Sequence, residues 1–211
     1  MKRISVTICC ILLVAIAFWF FPLLHIVHTN SAAPAEHETA FNASEFAKTF
    51  WKDQLAPSLA QAPDAATILA ALSANRESAR TQFGRKVGVS RASLYVMRGS
   101  GTIVSVDNKG VGIGLDNDAK HADVTLQTGL LFGNTVRDAT DLLDASKFPD
   151  SRQFNEVSTE LNHIVEADVI AVLKQNATDG RRVTFAGCVE IQDQADIPHP
   201  LTLIPLQVHI D

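Results

Sequence analysis

The longest amphipathic segment of the chain, DSRQFNEVSTELNHIVEADVIAVLKQN at positions 150–176, limits the folds that the strands around it can form. Asp150 and Gln153 are a capping pair at its start. Apolar residues then recur at helical spacing from Phe154 to Leu173, which is the pattern of one buried helix face. The segment therefore predicts one long helix over about 151–176.

Strand-like segments lie on both sides of this helix. They are rich in Val, Ile, Leu or Tyr and separated by turn residues: four precede the helix, at 85–98, 101–107, 110–116 and 122–128, and two follow it, at 181–191 and 201–210. Several strands, one long helix and two final strands is the order of an OB-like barrel. We predict an α+β fold with an antiparallel OB-like β-barrel, in which the long helix is inserted before the last two strands and plugs one end.

The segment before the strands predicts short helices. Asn42 can cap a helix whose third residue is Glu45, and Phe41 can pack on Phe46 as a hydrophobic staple. Pro57 is expected to break or kink this helix.

Two further short helices are predicted, one opened by Asp64 and one over Arg76–Phe83. They complete a helical part at 41–84, which is followed by the OB-like barrel at 85–211. Residues 41–211 are enough for one domain and few for two.

The first thirty residues carry the signal for location. Two basic residues precede an almost unbroken apolar run over 4–27. A helix of about 24 residues is roughly 36 Å long, enough to cross a hydrocarbon core of ~30 Å. Residues 1–30 are predicted to be an inner-membrane anchor with a cytoplasmic N terminus, and residues 31–40 a tether. The alternative is a signal cleaved after Ala35, which would leave a soluble periplasmic domain.

Charge and cysteine content exclude some classes of protein. The formal charge is −5, and removing the two basic residues before the apolar run leaves −7 on the exported part. Nucleic-acid binding usually needs a basic face, so no nucleic-acid partner is predicted. Cys188 is the only cysteine beyond the apolar run, so no intramolecular disulfide can stabilise the exported domain.

The most unusual local sequence is LQTGLLFGNTVRD at 126–138. Its two glycines, four residues apart, let the backbone turn tightly or approach a ligand, although the glycine pattern of a phosphate or dinucleotide loop is missing. The predicted ligand-binding residues are Thr128, Gly129, Gly133, Asn134, Arg137 and Asp138. In the alternative interpretation, the glycines permit a strand-to-helix turn and Arg137 is a structural partner of Asp138.

The sequence contains no recognisable catalytic arrangement. There is no Gly-x-Ser-x-Gly elbow, and Cys188 alternates with Ala186 in a predicted strand, as a small buried hydrophobe does. His163 with Glu160 or Glu166 is a weak metal pattern. No catalytic residue, metal or cofactor is predicted.

Five stretches of the chain resemble a known bacterial family. They are FAKTFW at 46–51, GSGTIVSVD at 99–107, the 126–138 turn, 148–162 and 182–190. The family consists of predicted periplasmic lipoproteins of uncharacterised function, frequently encoded beside sugar ABC transporters. The resemblance implies a periplasmic location and a link to sugar uptake. This chain departs from a lipoprotein because Cys9 and Cys10 lie near the start of the apolar run, not at its end.

These features predict a non-enzymatic, membrane-tethered periplasmic accessory or binding protein, attached to the inner membrane through residues 4–27. Its predicted partners are sugar transporter components or a saccharide ligand. OB-like barrels bind through the open face of the meander, here formed by strands from 85–116 and the nearby glycine turn. An envelope hydrolase, the first alternative, would need two buried carboxylates at one cleft. A purely structural envelope protein, the second, would have no cleft.

Overall fold

Five strands close into a barrel in the order β1-β2-β3-β5-β4. The strands are β1 (Ala92–Val106), β2 (Gly110–Gly114), β3 (Val124–Gln127), β4 (Arg182–Gln192) and β5 (Leu201–Ile210). The predicted α+β, OB-like architecture is confirmed. The prediction that the barrel is antiparallel throughout is wrong, because β3 and β5 pair in parallel. A closed ring with an odd number of strands cannot alternate direction at every pair, so at least one neighbouring pair must be parallel.

Most of the two segments predicted as strands, 85–98 and 101–107, forms the single strand β1, which begins at Ala92 and not at residue 85. It pairs with β4 over Ala92–Thr102 and with β2 over Thr102–Val106, so it changes partner at Thr102. Gly101 lies at this change, where a Cβ atom would be 2.2 Å from the Gly114 carbonyl oxygen. Gly101, at which a new strand was predicted to begin, therefore lies inside β1 and allows β1 and β2 to approach closely.

The long helix before the last two strands is confirmed. It runs through α-helical, π-helical and α-helical parts without interruption: Ser151–Ile164, Val165–Ile170 and Ala171–Asn176. We call the first part α5 and the last part α6. The Asp150 carboxylate caps the helix by accepting a 2.8 Å hydrogen bond from the Gln153 N–H.

The N-terminal helix α1 (Ala43–Phe50) begins as predicted. The Asn42 side chain accepts from the Glu45 N–H at 3.1 Å, and the rings of Phe41 and Phe46 are 5.7 Å apart. Pro57 does not end the helix. A π-helical turn precedes it, and Pro57 then occupies the first turn of the next helical segment (Ala56–Ser58), where a missing N–H costs little.

The remaining helices are α2 (Ala65–Ala74), α3 (Arg76–Phe83) and the one-turn α4 (Thr135–Asp138). Short 3₁₀ turns occur at Leu59–Gln61 and Ala145–Lys147. Both α2 and α3 agree with the predicted positions, with Asp64 and Asn75 as their caps.

Two apolar cores lie on opposite sides of the barrel wall. The interior core contains the inward side chains of the strands together with residues of α2 and of α6: Tyr95, Met97, Ile103, Val111, Ile113, Val124, Leu126, Val183, Phe185, Leu201, Leu203, Ile68, Leu72 and Leu173. The outer core lies between β4, β5, α1 and α5, and includes Ala186, Cys188, Leu206, Phe50, Leu55, Val157, Leu161 and Val165. Leu173 alone of the long helix belongs to the interior core, so the helix contributes to the barrel end but packs mainly outside it.

The computed structural model describes residues 41–88, 90–116, 119–193 and 196–211. The predicted membrane helix at 4–27 and the tether at 31–40 lie outside these ranges. Within them, no helix is both long enough and apolar enough to cross a bilayer.

The close approach at Gly101 gives a stability prediction. Gly101→Ala should lower the free energy of unfolding by about 2–3 kcal/mol, because the added methyl group meets backbone that cannot move aside. Gly129→Ala is the matched control, since nothing lies within 4 Å of its Cβ position, and it should change stability by less than about 0.5 kcal/mol. Urea denaturation of both variants measures the difference. Equal stabilities would contradict the assigned packing of β1 on β2.

Candidate functional site

A cleft of about 380 Å³ lies between the turn at 130–134 and helix α5. The turn contributes Leu130, Leu131, Phe132, Gly133 and Asn134. The helix and the turn of π-helix after it contribute polar side chains: Asn155, Ser158, Thr159, Asn162, His163 and Glu166. One wall is therefore mostly apolar and the other is polar.

Two side chains from the helix hold the turn in place. The Glu166 carboxylate accepts a 2.6 Å hydrogen bond from the Leu131 N–H, and the Asn162 amide donates a 3.0 Å hydrogen bond to the Gly133 carbonyl. Gly133 has φ of +80°, a conformation that favours glycine. The turn is thus fixed by hydrogen bonds at two points, and by the buried side chain of Leu131 between them.

The fixed turn exposes two large apolar side chains. Leu130 is 72% exposed and Phe132 is 81% exposed, on either side of buried Leu131. Large apolar residues on a rigid, polar-rimmed surface are common at binding sites. Phe132 is therefore the most accessible aromatic contact at this cleft among the described residues.

The polar wall contains one hydroxyl group without a partner. Ser158 is 4% exposed, and its Oγ makes no hydrogen bond within the described part of the chain. A buried polar group without a hydrogen bond costs about 1–3 kcal/mol, so such groups are rare in folded proteins. The Oγ atom is itself buried, so a ligand in the cleft does not reach it without a shift of the wall.

Arg137 lies behind the turn and is only 6% exposed. Its guanidinium donates to both Asp138 carboxylate oxygens, at 2.7 and 3.1 Å, and to the Phe154 carbonyl and the Asn155 side-chain oxygen, each at 3.2 Å. It also stacks 3.7 Å from the centroid of the Phe154 ring. These contacts join α4 to α5. They agree with the alternative interpretation of the sequence, in which Arg137 is a structural partner of Asp138.

The structure separates the six predicted ligand-binding residues. Gly133 and Asn134 line the large cleft, while Thr128 is buried and Gly129 is exposed at the start of the turn. Asp138 lines a second, smaller cleft, as does Asn134. The sequence does not single out Phe132 or Ser158. Phe132 is one of three consecutive apolar residues, and Ser158 lies on the long helix, whose polar face is predicted to be solvated.

The predicted binding face of the meander is partly covered. The outward positions of β2 are all glycine, namely Gly110, Gly112 and Gly114. A Cβ atom on Gly112 would be 3.0 Å from the Ala122 side chain, and one on Gly114 would be 2.2 Å from that of Ala119. The loop after β2 therefore lies directly on this strand, where an OB fold commonly holds its ligand.

The groups considered for catalysis or metal binding lie apart. Cys188 is buried, and burial raises the pKa of its thiol to about 12, so it stays protonated. His163 is 61% exposed, with its Nδ1 3.7 Å from Glu160. No group of three metal-ligating side chains occurs in the described ranges. In the smaller cleft Asp138 is paired with Arg137 and Glu190 is exposed, so these carboxylates are not the buried pair that a hydrolase would need.

Fold and cleft together define a protein of the OB class whose cleft lies on the helix side of the barrel. The chain belongs to a family described as predicted periplasmic lipoproteins (DUF2291), whose profile matches residues 14–209. The family resemblance noted in the sequence is confirmed.

A solved structure supports the fold. The chain is similar to an OB-fold protein from Thermotoga maritima, with a TM-score of 0.73 and 29% sequence identity, over 81% of this chain and 99% of that one. Among curated proteins, no significant match was found.

The contacts of Arg137 predict its role in stability. Arg137→Ala should lower the free energy of unfolding by about 3 kcal/mol, because it leaves the largely buried Asp138 carboxylate without its partner. Arg152→Ala is the control. Arg152 is 74% exposed and forms a surface ion pair with Glu156 at 3.5 Å, so its loss should lower the free energy of unfolding by less than about 0.5 kcal/mol. Thermal melts compare the two. An unchanged melting temperature for Arg137→Ala would favour a direct role in ligand binding.

Proposed function

We propose that this chain is a periplasmic binding protein, tethered to the inner membrane, that holds a saccharide in the cleft between the 130–134 turn and α5. The observation that carries this proposal is the exposed side chain of Phe132, on a turn whose backbone is held by Glu166 and Asn162, at a cleft whose other wall presents amide and hydroxyl groups. The site is on the helix side of the barrel.

The two walls match the two surfaces of a sugar. The C–H face of a sugar ring is apolar and packs on an aromatic face, whereas its hydroxyl groups need hydrogen-bond partners. Asn155 and Thr159 are exposed, line the same cleft as Phe132 and provide hydrogen-bond donors and acceptors. A volume of about 380 Å³ is also within the usual range of ligand sites, about 300–1,000 Å³.

The charges at the cleft favour a neutral ligand. Its lining, as far as the structure describes it, includes no Lys or Arg, and Arg137 already donates four hydrogen bonds to protein groups. Glu166 contributes negative charge. The one basic side chain among the described lining residues is His163, which lies beside Glu160. An anionic ligand would find no permanently charged cation there, so a neutral saccharide fits better than a sugar acid or phosphate.

The wider role that we propose is that of an accessory in sugar uptake. Periplasmic location follows from the family description, and the connection with sugar transporters rests on the resemblance of the sequence. A tethered domain with a saccharide cleft would hold its ligand close to a membrane transporter, because the anchor confines it to that surface.

The saccharide proposal is tested by removing the ring. Phe132→Ala should abolish binding to a glycan array carrying mono- to hexasaccharides, and Phe132→Tyr should retain binding because the aromatic face persists. Val106→Ala is the control, since Val106 is a 51% exposed apolar residue in β1, outside the cleft. Absence of any bound glycan for the unmodified protein, or equal binding by Phe132→Ala, would contradict the proposal.

The tether gives a separate prediction. The apolar run at 4–27 should keep full-length protein in the inner-membrane fraction, with its carboxyl terminus accessible to protease in spheroplasts. Fractionation and terminal sequencing measure this. Soluble periplasmic protein that begins near Glu36 would show instead that the segment is cleaved.

A further inference from the structure

We infer that the ligand is a saccharide chain, which runs from the large cleft across Asn134 into the smaller cleft beside β1 and β4. This inference rests on the proposed function. It adds a second subsite and assigns the ligand to the class of neutral oligosaccharides.

The two clefts are neighbours that share one lining residue, Asn134. The smaller cleft has a volume of about 220 Å³ and is bounded by Thr135 and Asp138 on one side and by Leu94 and Glu190 on the other. Leu94 and Glu190 are directly opposed in the pairing of β1 with β4. Asn134 lines both clefts, so it forms the ridge between them.

The side chain of Asn134 makes no hydrogen bond to the described residues, unlike the other Asn and Asp side chains that cap helices. The side chains of the other Asn and Asp helix caps each accept a hydrogen bond from a backbone N–H: Asn42, Asp64, Asn75, Asp144 and Asp150. Asn134 also precedes a helix, but its amide makes no capping bond and no other hydrogen bond within the described residues. An exposed amide offers two donor hydrogens and an acceptor oxygen, which suits the two sugar units that flank a linkage.

Each cleft also contains a polar group suited to sugar hydroxyls. In the large cleft this is the exposed Thr159 hydroxyl, which donates to the Asn155 carbonyl at 3.4 Å and can still accept a hydrogen bond. In the smaller cleft it is the exposed Glu190 carboxylate, which accepts a hydrogen bond from the Gln192 amide at 3.2 Å and has further acceptor capacity. The described residues that line the smaller cleft include no Lys, Arg or His, and those of the larger one include no Lys or Arg and one His, His163.

Size supports a chain over a single sugar. The smaller cleft alone is below the range of typical ligand sites, about 300–1,000 Å³, and the larger one is near its lower limit. A ligand that fills both must be elongated and must cross the ridge. A linear oligosaccharide has that shape and repeats the same hydroxyl chemistry on each side.

Binding as a function of chain length tests the second subsite. We would take the neutral glycan that the full-length protein retains on the array and titrate its mono- to hexasaccharide series by calorimetry. Affinity should rise by about tenfold once the chain is long enough to reach the smaller cleft, which is the effect of one or two hydrogen bonds. Acidic oligosaccharides of equal length should bind more weakly.

Three variants and a control locate the effect. Glu190→Ala should remove the gain from chain length and leave the affinity for the shortest ligands within about twofold, because Glu190 lines only the smaller cleft. Asn134→Ala, at a residue that lines both clefts, should remove the gain and also weaken the shortest ligands, and Thr159→Ala should weaken ligands of every length. Gln82→Ala, an exposed change on α3, should alter nothing. Thermal melts check that all variants are folded.

The possible results separate the second subsite from the saccharide-binding function on which it rests. Binding that depends on Phe132 but not on chain length, or a gain from chain length that survives Glu190→Ala, would overturn the second subsite and leave the saccharide proposal standing. A preference for acidic chains would overturn the assigned ligand class. No binding of any saccharide would overturn both.

Discussion

The fold depends on the burial of β4 on both of its faces. Val183 and Phe185 point into the barrel, while Ala186 and Cys188 face the outer core formed with α1 and α5. The outward residues are small, so the helices can approach the sheet closely. Burial on both faces removes more apolar area from water than one layer of side chains could. The long helix must therefore lie over β4 and β5, and the chain that leaves β3 must cross the surface to reach it. That crossing segment is the turn that forms the cleft.

The large cleft of this barrel lies beside the long helix, whereas an OB fold commonly binds its ligand on the strands of the meander. Glycine at alternate positions of β2 makes a flat outer surface with no side chains to contact a ligand, and residues 119–122 lie on it. The helix side provides what the strand lacks: amides, hydroxyl groups and an exposed aromatic ring. The proposed site is therefore built from a turn and a helix and not from the strands, in keeping with the principle that a fold does not fix the place of function.

The sequence was sufficient for features with local causes. The caps at Asn42 and Asp150, the long helix and the order of strands follow from short-range patterns, and all agree with the structure. The continuity of β1 was missed because Gly101 serves a long-range contact with β2, and no local pattern distinguishes that use from a turn. Within the turn, periodicity could not tell that Leu131 is buried while Phe132 is exposed. The backbone at Leu131 is held by a hydrogen bond to Glu166, which is 35 residues away in the sequence. A contact of that range leaves no local pattern.

The aromatic contacts near the N terminus give the domain a mechanical property. Phe41, the first described residue after the predicted tether, has its ring 5.9 Å from that of Phe148, which is 5.0 Å from that of Phe154. Phe154 in turn stacks under Arg137, directly behind the cleft. Tension on the chain at Phe41 would therefore act first on a series of rings that ends at the scaffold of the site. A domain held at a membrane by its N terminus would carry that load at the wall of its own cleft, away from the hydrogen-bonded strands of the barrel.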